Sequence, residues 1–484
     1  MTQPFDPLLQ DLLDVLGEGV VFSGDQIPGK AKSDESRTGR AMPAIYLRPR
    51  TAVEVADALR LCNAARRPVT IQGGMTGLAG GANPDGGDVA LSLDRLAGVE
   101  EIDRDAGAMT VWAGTVLETA QKAAEEAGFL LPIDLGARGS CQIGGNLANN
   151  AGGIRVISHG VTRDNVLGLE AVLADGTVIS SLNKMQKNNT GYDLKQLFIG
   201  SEGTLGVITR AVLKLKPIGE GRETCLCAVE SYEAAVSLLH AARKDMAGLS
   251  AYEVMWRNFF DFSSKAEGLR FFEETPPFVV LIEQTGAASI EAFLEASFEQ
   301  GLIADAVIAQ SEKQRLDVWK VREGYALDHL PDLMNYDVSL PIGDLDAYAR
   351  EVTDDILADY PEAHVSVFGH MGDSNIHLCI SVGQAGEAEH NAVDGIVYDH
   401  VRRFKGAVSA EHGVGRLKRA YLGHSRSPEE IALMRRIKAA LDPNGILNPG
   451  RVLPASEGDD SGRSVSVRTT VQNKERRRRR FDPS

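Results

Sequence analysis

The most telling segment of the chain reads Gly136-Ala-Arg-Gly-Ser-Cys-Gln-Ile-Gly-Gly-Asn-Leu-Ala-Asn-Asn-Ala-Gly-Gly-Ile-Arg155. Two further glycine-rich segments lie before and after it, Gly73-Gly-Met-Thr-Gly-Leu-Ala-Gly-Gly81 and Gly200-Ser-Glu-Gly-Thr-Leu-Gly206. Because glycine has no Cβ, backbone N–H groups in such segments can turn toward a diphosphate. Neutral side-chain donors are added by Ser140, Asn146, Asn149 and Asn150. One such segment is usually a turn, but three together favour one large phosphate-bearing cofactor.

Two common types of nucleotide site are disfavoured by the same segments. The sequence has no Walker lysine, which binds triphosphates, and no GxGxxG motif that opens a helix within a strand–helix–strand unit. Nucleoside triphosphates and nicotinamide cofactors are therefore poor candidates.

The chain as a whole has the composition of a globular protein with more than one domain. Its 484 residues allow two or three cores, and no apolar run is long enough to span a membrane. The net charge of −16 argues against nucleic acid as a partner. The five cysteines are dispersed, and the N-terminus carries no secretory or transit signal. We therefore expect a reducing, cytoplasmic location, with at most peripheral contact with a membrane.

Residue patterning predicts an α+β fold with a change of character near residue 218. Before it, helices and strands mix with glycine loops, as in the hairpin Val166–Leu173 and Val178–Ser181 around Asp175-Gly176. After it, strands alternate with helices, which indicates a sheet with helices packed on one face. The expected parts are an N-terminal helical segment (1–39), a glycine-rich domain (40–217), a second domain (218–402), a segment that returns to the first domain (403–454) and a disordered tail (455–484).

A second group of candidate residues lies in His370-Met-Gly-Asp-Ser-Asn-Ile-His377 and in Glu411-His412-Gly-Val-Gly. The two histidines of the first motif would face opposite ways on one straight strand, because they are an odd number of residues apart. The turn-forming residues between them predict a hairpin that returns both imidazoles to one side. Together with the Glu411 carboxylate they form a suitable site for a divalent metal, with positions left open for a substrate. Zinc is the first choice, and manganese or iron could also fit.

His412 directly follows Glu411, and neighbours on an extended segment point in opposite directions. The simplest division therefore puts Glu411 on the metal and leaves His412 free to face a substrate hydroxyl group. A free histidine is suited to take a proton near neutral pH. A metal, a base and a large cofactor together indicate a redox enzyme.

These motifs resemble a known family. Residues of about 40–217 are similar to the FAD-binding domain of the vanillyl-alcohol-oxidase and p-cresol-methylhydroxylase (PCMH) superfamily. Residues 218–453 are similar to the C-terminal domain of FAD-linked D-2-hydroxy-acid dehydrogenases, such as the D-lactate, glycolate and D-2-hydroxyglutarate enzymes. The resemblance implies a PCMH-type domain and a substrate domain whose antiparallel sheet is covered by helices. It also implies oxidation of a D-2-hydroxy acid to the 2-oxo acid by hydride transfer to the flavin N5 atom, with His412 as general base.

The resemblance further implies which residues contact FAD. The first glycine loop would hold the pyrophosphate, the second and third segments would line the rest of the dinucleotide and the flavin, and the C-terminal segment would return to the flavin side. The implied positions are Gly73, Gly74, Met75, Thr76, Gly77, Ser140, Gly144, Gly145, Asn149, Gly153, Glu202, Gly203 and Asn448. Some members attach FAD through a histidine in the first loop. Because Met75 stands in that stretch, we expect FAD to be bound non-covalently.

Substrate recognition is where this chain departs from the family pattern. An arginine that clamps the C1 carboxylate is matched by Arg322, on a helix expected over Glu312–His329. The D-2-hydroxyglutarate branch carries a threonine, a lysine and an asparagine where this chain has Ala326, Asn335 and Cys379. The groups expected to bind a distal carboxylate are thus missing or weakened. The expected substrate is D-lactate-like or D-2-hydroxyglutarate-like, and a shorter or less acidic acid becomes plausible.

Several alternatives stay open. The chain could be a flavin enzyme of the same superfamily with another substrate, or a non-catalytic flavoprotein that serves as an electron-transfer subunit. A scaffold that acts through its Arg476–Arg480 run is a third reading. The electron acceptor could be an electron-transfer flavoprotein, a quinone, a cytochrome or oxygen. The oligomeric state is also open, with a homodimer as one option.

Overall fold

The structure is a computed structural model that describes residues 6–219, 221–286 and 289–454. The polar tail expected at 455–484, with its arginine run, lies outside the described residues. Among the helices of the described ranges, none combines the length and the apolar character that crossing a membrane requires.

The glycine-rich half contains eleven short strands and six α-helices in the described part of the chain. The strands are β1 (Val21–Ser23), β2 (Ile45–Leu47), β3 (Val69–Gln72), β4 (Val89–Ser92), β5 (Val99–Asp103), β6 (Ala108–Trp112), β7 (Phe129–Leu130), β8 (Val166–Val172), β9 (Val178–Ser181), β10 (Val207–Lys214) and β11 (Lys216–Pro217). The helices are α1 (Pro7–Leu16), α2 (Ala52–Ala64), α3 (Leu117–Glu126), α4 (Ile143–Asn149), α5 (Val156–His159) and α6 (Lys195–Phe198).

Two sheets organise this half. The first has the order β1-β2-β4-β3, and β2 and β3 both run parallel to β4. The second has the order β5-β6-β10-β8-β9 and is antiparallel throughout. The β8–β9 hairpin predicted from the sequence is confirmed. Apolar residues of both sheets and of α2, α3 and α4 pack into one core, which also takes in Ile446 and Leu447 from the end of the chain.

The second half is built on one seven-stranded sheet of order β15-β12-β14-β13-β17-β18-β16. Its strands are β12 (Arg222–Val229), β13 (Leu249–Trp256), β14 (Phe278–Thr285), β15 (Asp305–Ile308), β16 (Met334–Ser339), β17 (His364–Gly369) and β18 (Asn375–Ser381). The α-helices are α7 (Tyr232–Asp245), α8 (Arg257–Glu267), α9 (Ile290–Glu299), α10 (Glu312–Glu323), α11 (Leu345–Asp359), α12 (Glu387–Arg403), α13 (Leu422–Ser425) and α14 (Pro428–Leu441). Every strand pair in this sheet is antiparallel, so the expected antiparallel sheet is confirmed.

The expectation that helices cover only one face of this sheet is wrong. Helices α7, α9, α11 and α12 pack on one face, whereas α8 and α10 pack on the other. The physical reason lies in the strands, because both alternating sets of side chains are apolar: Cys225 and Cys227 enter one core, and Leu226 and Ala228 enter the other. The second helical layer includes α10, which carries Arg322.

The expected helix over Glu312–His329 ends earlier than predicted. Gly324 adopts a left-handed conformation (φ 65°) that terminates α10 at Glu323. A short 3₁₀ helix, Tyr325–His329, follows and places Ala326 outside the helix that carries Arg322.

The end of the chain contacts the first sheet. Val69 of β3 donates its N–H to the Ile446 carbonyl (2.7 Å) and accepts a hydrogen bond from the Asn448 N–H (2.9 Å). These bonds form an isolated parallel bridge between Val69 and Leu447. Residues 446–448 therefore extend the sheet edge from which the first glycine loop begins.

Candidate active site

The hairpin formed by β17 and β18 brings two histidines together. His370 follows β17 directly, residues Met371–Asp373 form a 3₁₀ turn, and His377 lies on β18. Ser374 takes a left-handed conformation (φ 73°) that lets the chain reverse. The two imidazole centroids lie 5.1 Å apart.

Glu411 completes a group that could hold a metal ion. Ligand atoms of His370, His377 and Glu411 all lie within 4.8 Å of one another. The Nε2 atom of His370 is 3.4 Å from a Glu411 carboxylate oxygen. Burial raises the pKa of Glu411 to about 8, and burial lowers the pKa of His377 well below its usual value. Two imidazoles and a carboxylate suit a divalent cation, which would need all three groups deprotonated.

Glu253 supports His370 from behind and was missed in the sequence. Its Oε1 atom lies 2.7 Å from His370 Nδ1, so the Nε2 atom of that ring faces Glu411. Its Oε2 atom accepts a hydrogen bond from Nε of Arg322 (2.6 Å). Burial works to raise the pKa of Glu253, but Arg322 and His370 outweigh it and lower the pKa. The only signal in the sequence is a single carboxylate inside the apolar strand β13, whose residues are all buried.

Asp337 is the second supporting carboxylate that sequence reasoning missed. It lies on β16, paired in register with His377 on β18, and is fully buried. Its Oδ2 atom accepts hydrogen bonds from the backbone N–H groups of Ala410, Glu411 (2.9 Å) and His412 (3.0 Å). It also accepts a hydrogen bond from the Ser409 hydroxyl. Burial works to raise the pKa of Asp337, but the charge that His412 carries when protonated, the Lys418 ammonium group and the hydrogen bond from the His412 N–H lower it far below its usual value.

His412 is not part of this group, but it forms a second group with Glu411 and Asp337, whose ligand atoms also lie within 4.8 Å of one another. Its Nδ1 atom is 3.7 Å from Asp337 Oδ2, and its ring lies nearly parallel to that of His377, with centroids 6.5 Å apart. Burial lowers the pKa of His412 below its usual value, although Asp337 opposes this effect. The neutral imidazole, which can accept a proton, is therefore favoured near neutral pH.

The three glycine segments meet in space. A Cβ on Gly74 would collide with the Ser140 carbonyl, and one on Gly73 would lie 3.8 Å from the Gly145 backbone. A Cβ on Gly203 would lie 2.8 Å from Asn448 Nδ2. These glycines let separate segments pack closely, whereas a Cβ on Gly145 would meet no protein atom within 4 Å, which leaves backbone open to a dinucleotide. The residues present therefore fit FAD.

Other candidate cofactor positions have identifiable local roles. Met75, Glu202 and Asn448 all adopt left-handed conformations, with φ of 61°, 51° and 42°. Asn149 donates from its side chain to the Gly145 carbonyl (2.9 Å). A Cβ on Gly144 would lie 2.7 Å from Ala113 Cβ, so this glycine permits packing of α4 within the domain.

Three further candidate positions have different neighbours. A Cβ on Gly77 would lie 3.4 Å from the Asp34 carboxylate, and one on Gly153 would collide with the Asp134 carbonyl. Thr76 stands between Met75 and Gly77 in the first loop.

Asn448 and Glu202 join the third glycine segment to other parts of the chain. The Asn448 side chain accepts from the Ile71 N–H (2.9 Å) and donates to the Glu202 carbonyl (2.7 Å). The Glu202 carboxylate accepts from the backbone N–H groups of Val414 and Gly415, both at 2.7 Å. The side chain of Glu202 is thus directed at the loop that follows His412.

Of the three positions that depart from the family pattern, Ala326 lies in the 3₁₀ helix after α10, Asn335 on β16 and Cys379 on β18. Cys379 and Asn335 are paired in register on β18 and β16, and the Cys379 thiol donates to the Asn335 side-chain oxygen (3.1 Å). Cys379 is two residues beyond His377 and so shares its face of the strand. Both groups are neutral, because burial raises the pKa of Cys379 to about 12.

Comparison with known proteins identifies two family domains in the chain. Residues 43–181 match the family of FAD binding domains, and residues 219–452 match the C-terminal domain of FAD linked oxidases. The chain therefore contains an FAD-binding domain, and FAD is its cofactor.

Similar proteins over nearly the whole length are named as dehydrogenases. Mitochondrial D-2-hydroxyglutarate dehydrogenase of Bos taurus is 40% identical over 465 residues, covering 93% of this chain and 85% of that protein. A putative mitochondrial D-lactate dehydrogenase of Schizosaccharomyces pombe is 38% identical over 429 residues, covering 85% of this chain and 82% of that protein. Both relatives are named as mitochondrial, so the cytoplasmic location expected from the sequence is not confirmed.

A solved structure supports the fold. The crystal structure of p-cresol methylhydroxylase with substrate bound has a TM-score of 0.71 to this chain at 18% identity, covering 92% of this chain and 96% of the other. The PCMH-type α+β fold is thus confirmed. Because both domain families match and the relatives are similar over most of the chain, the chain belongs to the family of FAD-dependent D-2-hydroxy-acid dehydrogenases.

Proposed function

We propose that this dehydrogenase oxidises a D-2-hydroxy acid to the 2-oxo acid with a divalent metal, zinc first, at His370, His377 and Glu411, and with His412 as general base. The observation that carries the proposal is the convergence of these three donors within 4.8 Å, with a fourth group, His412, beside them. When bound, FAD supplies the hydride acceptor at its N5 atom. A bound metal would polarise the substrate hydroxyl and orient it.

The support behind His370 favours the metal. A ligating histidine commonly donates its other ring N–H to a carboxylate, which fixes the ring and makes it a better ligand. Glu253 stands 2.7 Å from Nδ1 of His370 and leaves Nε2 directed at Glu411. A structural histidine would have no need of this second carboxylate on the other side of its ring.

His412 would remove the hydroxyl proton. Asp337 lies on the Nδ1 side of its ring, which leaves Nε2 for the substrate. The lowered pKa of His412, caused mainly by burial, favours the neutral form that accepts a proton. As C2 loses its hydride, the hydroxyl oxygen would pass its proton to this nitrogen and become the carbonyl oxygen of the 2-oxo acid.

Arg322 would bind the C1 carboxylate of the substrate. Its Nε atom is engaged by Glu253, and the guanidinium lies over the Phe368 ring at 4.8 Å from the centroid. A guanidinium has five N–H donors, so one carboxylate partner leaves others for a substrate. The same Glu253 contacts Arg322 and His370, which would hold the carboxylate clamp and the metal group in one fixed relation.

The substrate side chain would be short or uncharged. Cys379 and Asn335 stand beyond His377 on the same side of β18, and they bond each other. A distal carboxylate placed there would meet no cation from these two positions. We therefore favour a D-lactate-like acid over D-2-hydroxyglutarate. FAD would be held non-covalently, and an electron-transfer flavoprotein, a quinone or a cytochrome would reoxidise it.

The test is anaerobic reduction of the flavin absorbance band by a panel of D- and L-2-hydroxy acids. We expect reduction by D-acids, with faster reduction by monocarboxylates. The same panel is repeated after chelation and after addition of zinc, manganese or iron, with the flavin content checked each time. Unchanged reduction by protein that contains no metal would remove the metal from the mechanism, and preference for L-acids would overturn the substrate class.

A further inference from the structure

We propose that Asp337 and Glu202 are positioning residues that hold the loop 409–415, called here the catalytic loop, from its two ends. Asp337 belongs to the sheet that carries the metal-binding histidines, and Glu202 belongs to the third glycine segment. Each carboxylate accepts hydrogen bonds from backbone N–H groups of the loop rather than facing a ligand. The inference rests on the proposed roles of Glu411 and His412, which lie on this loop.

At its first end, the catalytic loop is bound by a single oxygen atom. Asp337 Oδ2 accepts from the Ser409 hydroxyl and from the N–H groups of Ala410, Glu411 and His412, at distances of 2.9–3.2 Å. Three consecutive N–H groups that converge on one oxygen form an anion-binding concavity of the backbone. Hydrogen bonds to an ionised acceptor are the stronger kind, so this end is firmly held.

Lys418 closes this end of the loop. Its ammonium group lies 3.6 Å from Asp337 Oδ2 and donates to the Ser409 hydroxyl at 3.1 Å. Both Asp337 and Lys418 are buried, and a buried charge is tolerated when it is paired. Asp337 is in register with His377, so the same strand pair sets the positions of Glu411 and of the metal-side histidine.

At its second end, the catalytic loop is bound by two oxygen atoms. Glu202 accepts from the N–H groups of Val414 and Gly415 through one oxygen each, both at 2.7 Å. Gly413 and Gly415 adopt left-handed conformations (φ 78° and 51°), and a Cβ on Gly413 would lie 2.9 Å from both Asn149 Oδ1 and Glu202. The loop is therefore pressed against the glycine segments that fit FAD.

The two attachments predict separable effects. Loss of the Asp337 attachment lets Glu411 move relative to His370 and His377. The protein should then retain less metal and remove the substrate proton more slowly. Loss of the Glu202 attachment frees the loop relative to the glycine segments, so the flavin environment should change while the three metal donors stay together. A purely structural role would instead lower the stability of the whole protein without this division.

The experiment compares Asp337→Asn and Glu202→Gln holoenzymes with matched controls. Asp394→Asn is the control for Asp337, because Asp394 is a half-buried carboxylate that accepts from the Tyr336 hydroxyl (2.6 Å) rather than from a backbone N–H of the loop. Glu170→Gln is the control for Glu202, because Glu170 is buried and pairs with Arg210 in the same domain. Each variant is measured for metal content, visible flavin spectrum, substrate KM and the maximum rate of anaerobic flavin reduction.

In Asp337→Asn we expect the flavin reduction rate to fall about 10–100-fold, as is typical when a group behind a metal ligand is lost, with reduced metal content and an unchanged flavin spectrum. In Glu202→Gln we expect a shifted flavin spectrum and a slower rate at unchanged metal content. Both controls should keep the rate of the unaltered enzyme. If Asp337→Asn does not fold, Ser409→Ala and Lys418→Met probe the same end, and each should slow flavin reduction.

Three outcomes overturn the inference. The first is that Asp337→Asn and Glu202→Gln both behave like their controls. The second is that both variants lose metal and change the flavin spectrum to equal extents. The third is an unchanged rate in both Ser409→Ala and Lys418→Met. His412→Ala is measured alongside. If it reduces flavin at the normal rate, the proposed base is wrong and the fault lies with the proposed function. If it is inactive while Asp337→Asn behaves like Asp394→Asn, only the positioning inference fails.

Discussion

The two halves of the molecule build their parts of the active site in different ways. The glycine-rich half offers backbone: Gly74 and Gly203 let separate segments approach until a Cβ would not fit. The second half offers side chains from distant points of the chain, where the buried Glu253 contacts the His370 ring and the buried Asp337 accepts from the backbone of Glu411 and His412. A site made of backbone is visible in the sequence as runs of glycine. A site made of side chains depends on partners that only the folded sheet brings together.

The largest effect should come from the side-chain half. His412→Ala removes the proposed base, and general-base assistance typically contributes about 10²–10⁴-fold, so the rate of flavin reduction should fall by that factor. FAD content and the flavin spectrum should stay normal, because His412 belongs to the other half's catalytic group. Stopped-flow reduction with the best D-2-hydroxy acid measures the rate.

The matched control for that change is His390→Ala, since His390 is an exposed histidine of α12. It should reduce flavin at the normal rate. If His412→Ala and His390→Ala were indistinguishable, the proton would have to leave by another route.

The pH dependence of the same step sharpens the assignment. Burial lowers the pKa of His412, and only the neutral ring can accept a proton. The rate should therefore rise with pH through a pKa below the usual histidine value and stay level above it. At each pH unit below that pKa the rate should drop about tenfold. A rate that falls as pH rises through this range would contradict a histidine base.

The backbone half is tested by one glycine from each of two segments, Gly74 of the first and Gly145 of the second. A Cβ at Gly145 meets no protein atom within 4 Å, whereas one at Gly74 collides with the Ser140 carbonyl. Gly145→Ala should leave the melting temperature of the apoprotein unchanged and weaken FAD binding by about tenfold, or about 1.4 kcal/mol, if the open side faces the cofactor. Gly74→Ala should lower both stability and FAD retention. Equal FAD affinity in Gly145→Ala and the unaltered protein would remove Gly145 from the cofactor surface.

Gly136→Ala is the control for this pair, because a Cβ there also meets no protein atom and Gly136 lies outside the implied cofactor positions. It should change neither the melting temperature nor FAD affinity. The measurements are thermal unfolding of apoprotein and fluorescence titration with FAD.

The difference between the halves also explains what the sequence could reveal. The β8–β9 hairpin followed from the Asp175-Gly176 turn, which is a local signal, whereas the antiparallel sheet was implied only by the family resemblance. Helices on both faces of the large sheet were missed, because a strand with apolar residues on both faces was read as covered on only one. The early end of α10 at Gly324 was missed because one glycine outweighed the continuing helical pattern.

The candidate site divides in the same way. The residues His370, His377, Glu411 and His412 stand in two short motifs, and the sequence alone made them candidates. Glu253 and Asp337 were not, because each is a lone acid in an apolar strand, and its partners come from elements far away in the chain. A buried acid flanked by β-sheet residues is the one signal that could have found them, since such a charge needs a partner.

The smallest expected effect concerns substrate choice at the edge of the side-chain half. Asn335 is exposed and bonded to Cys379, so a lysine in its place could reach solvent and offer a cation to a distal carboxylate. In Asn335→Lys the ratio of kcat/KM for D-2-hydroxyglutarate to that for D-lactate should rise by roughly tenfold, the gain typical of one hydrogen bond to a charged group. Asn335→Met, which has a similar length and no charge, is the control and should leave the ratio unchanged.

Because the lysine at position 335 acts on the distal group alone, D-lactate turnover itself should be preserved. A ratio that rises equally in both variants would mean that breaking the Asn335–Cys379 bond, rather than adding charge, admits the larger acid.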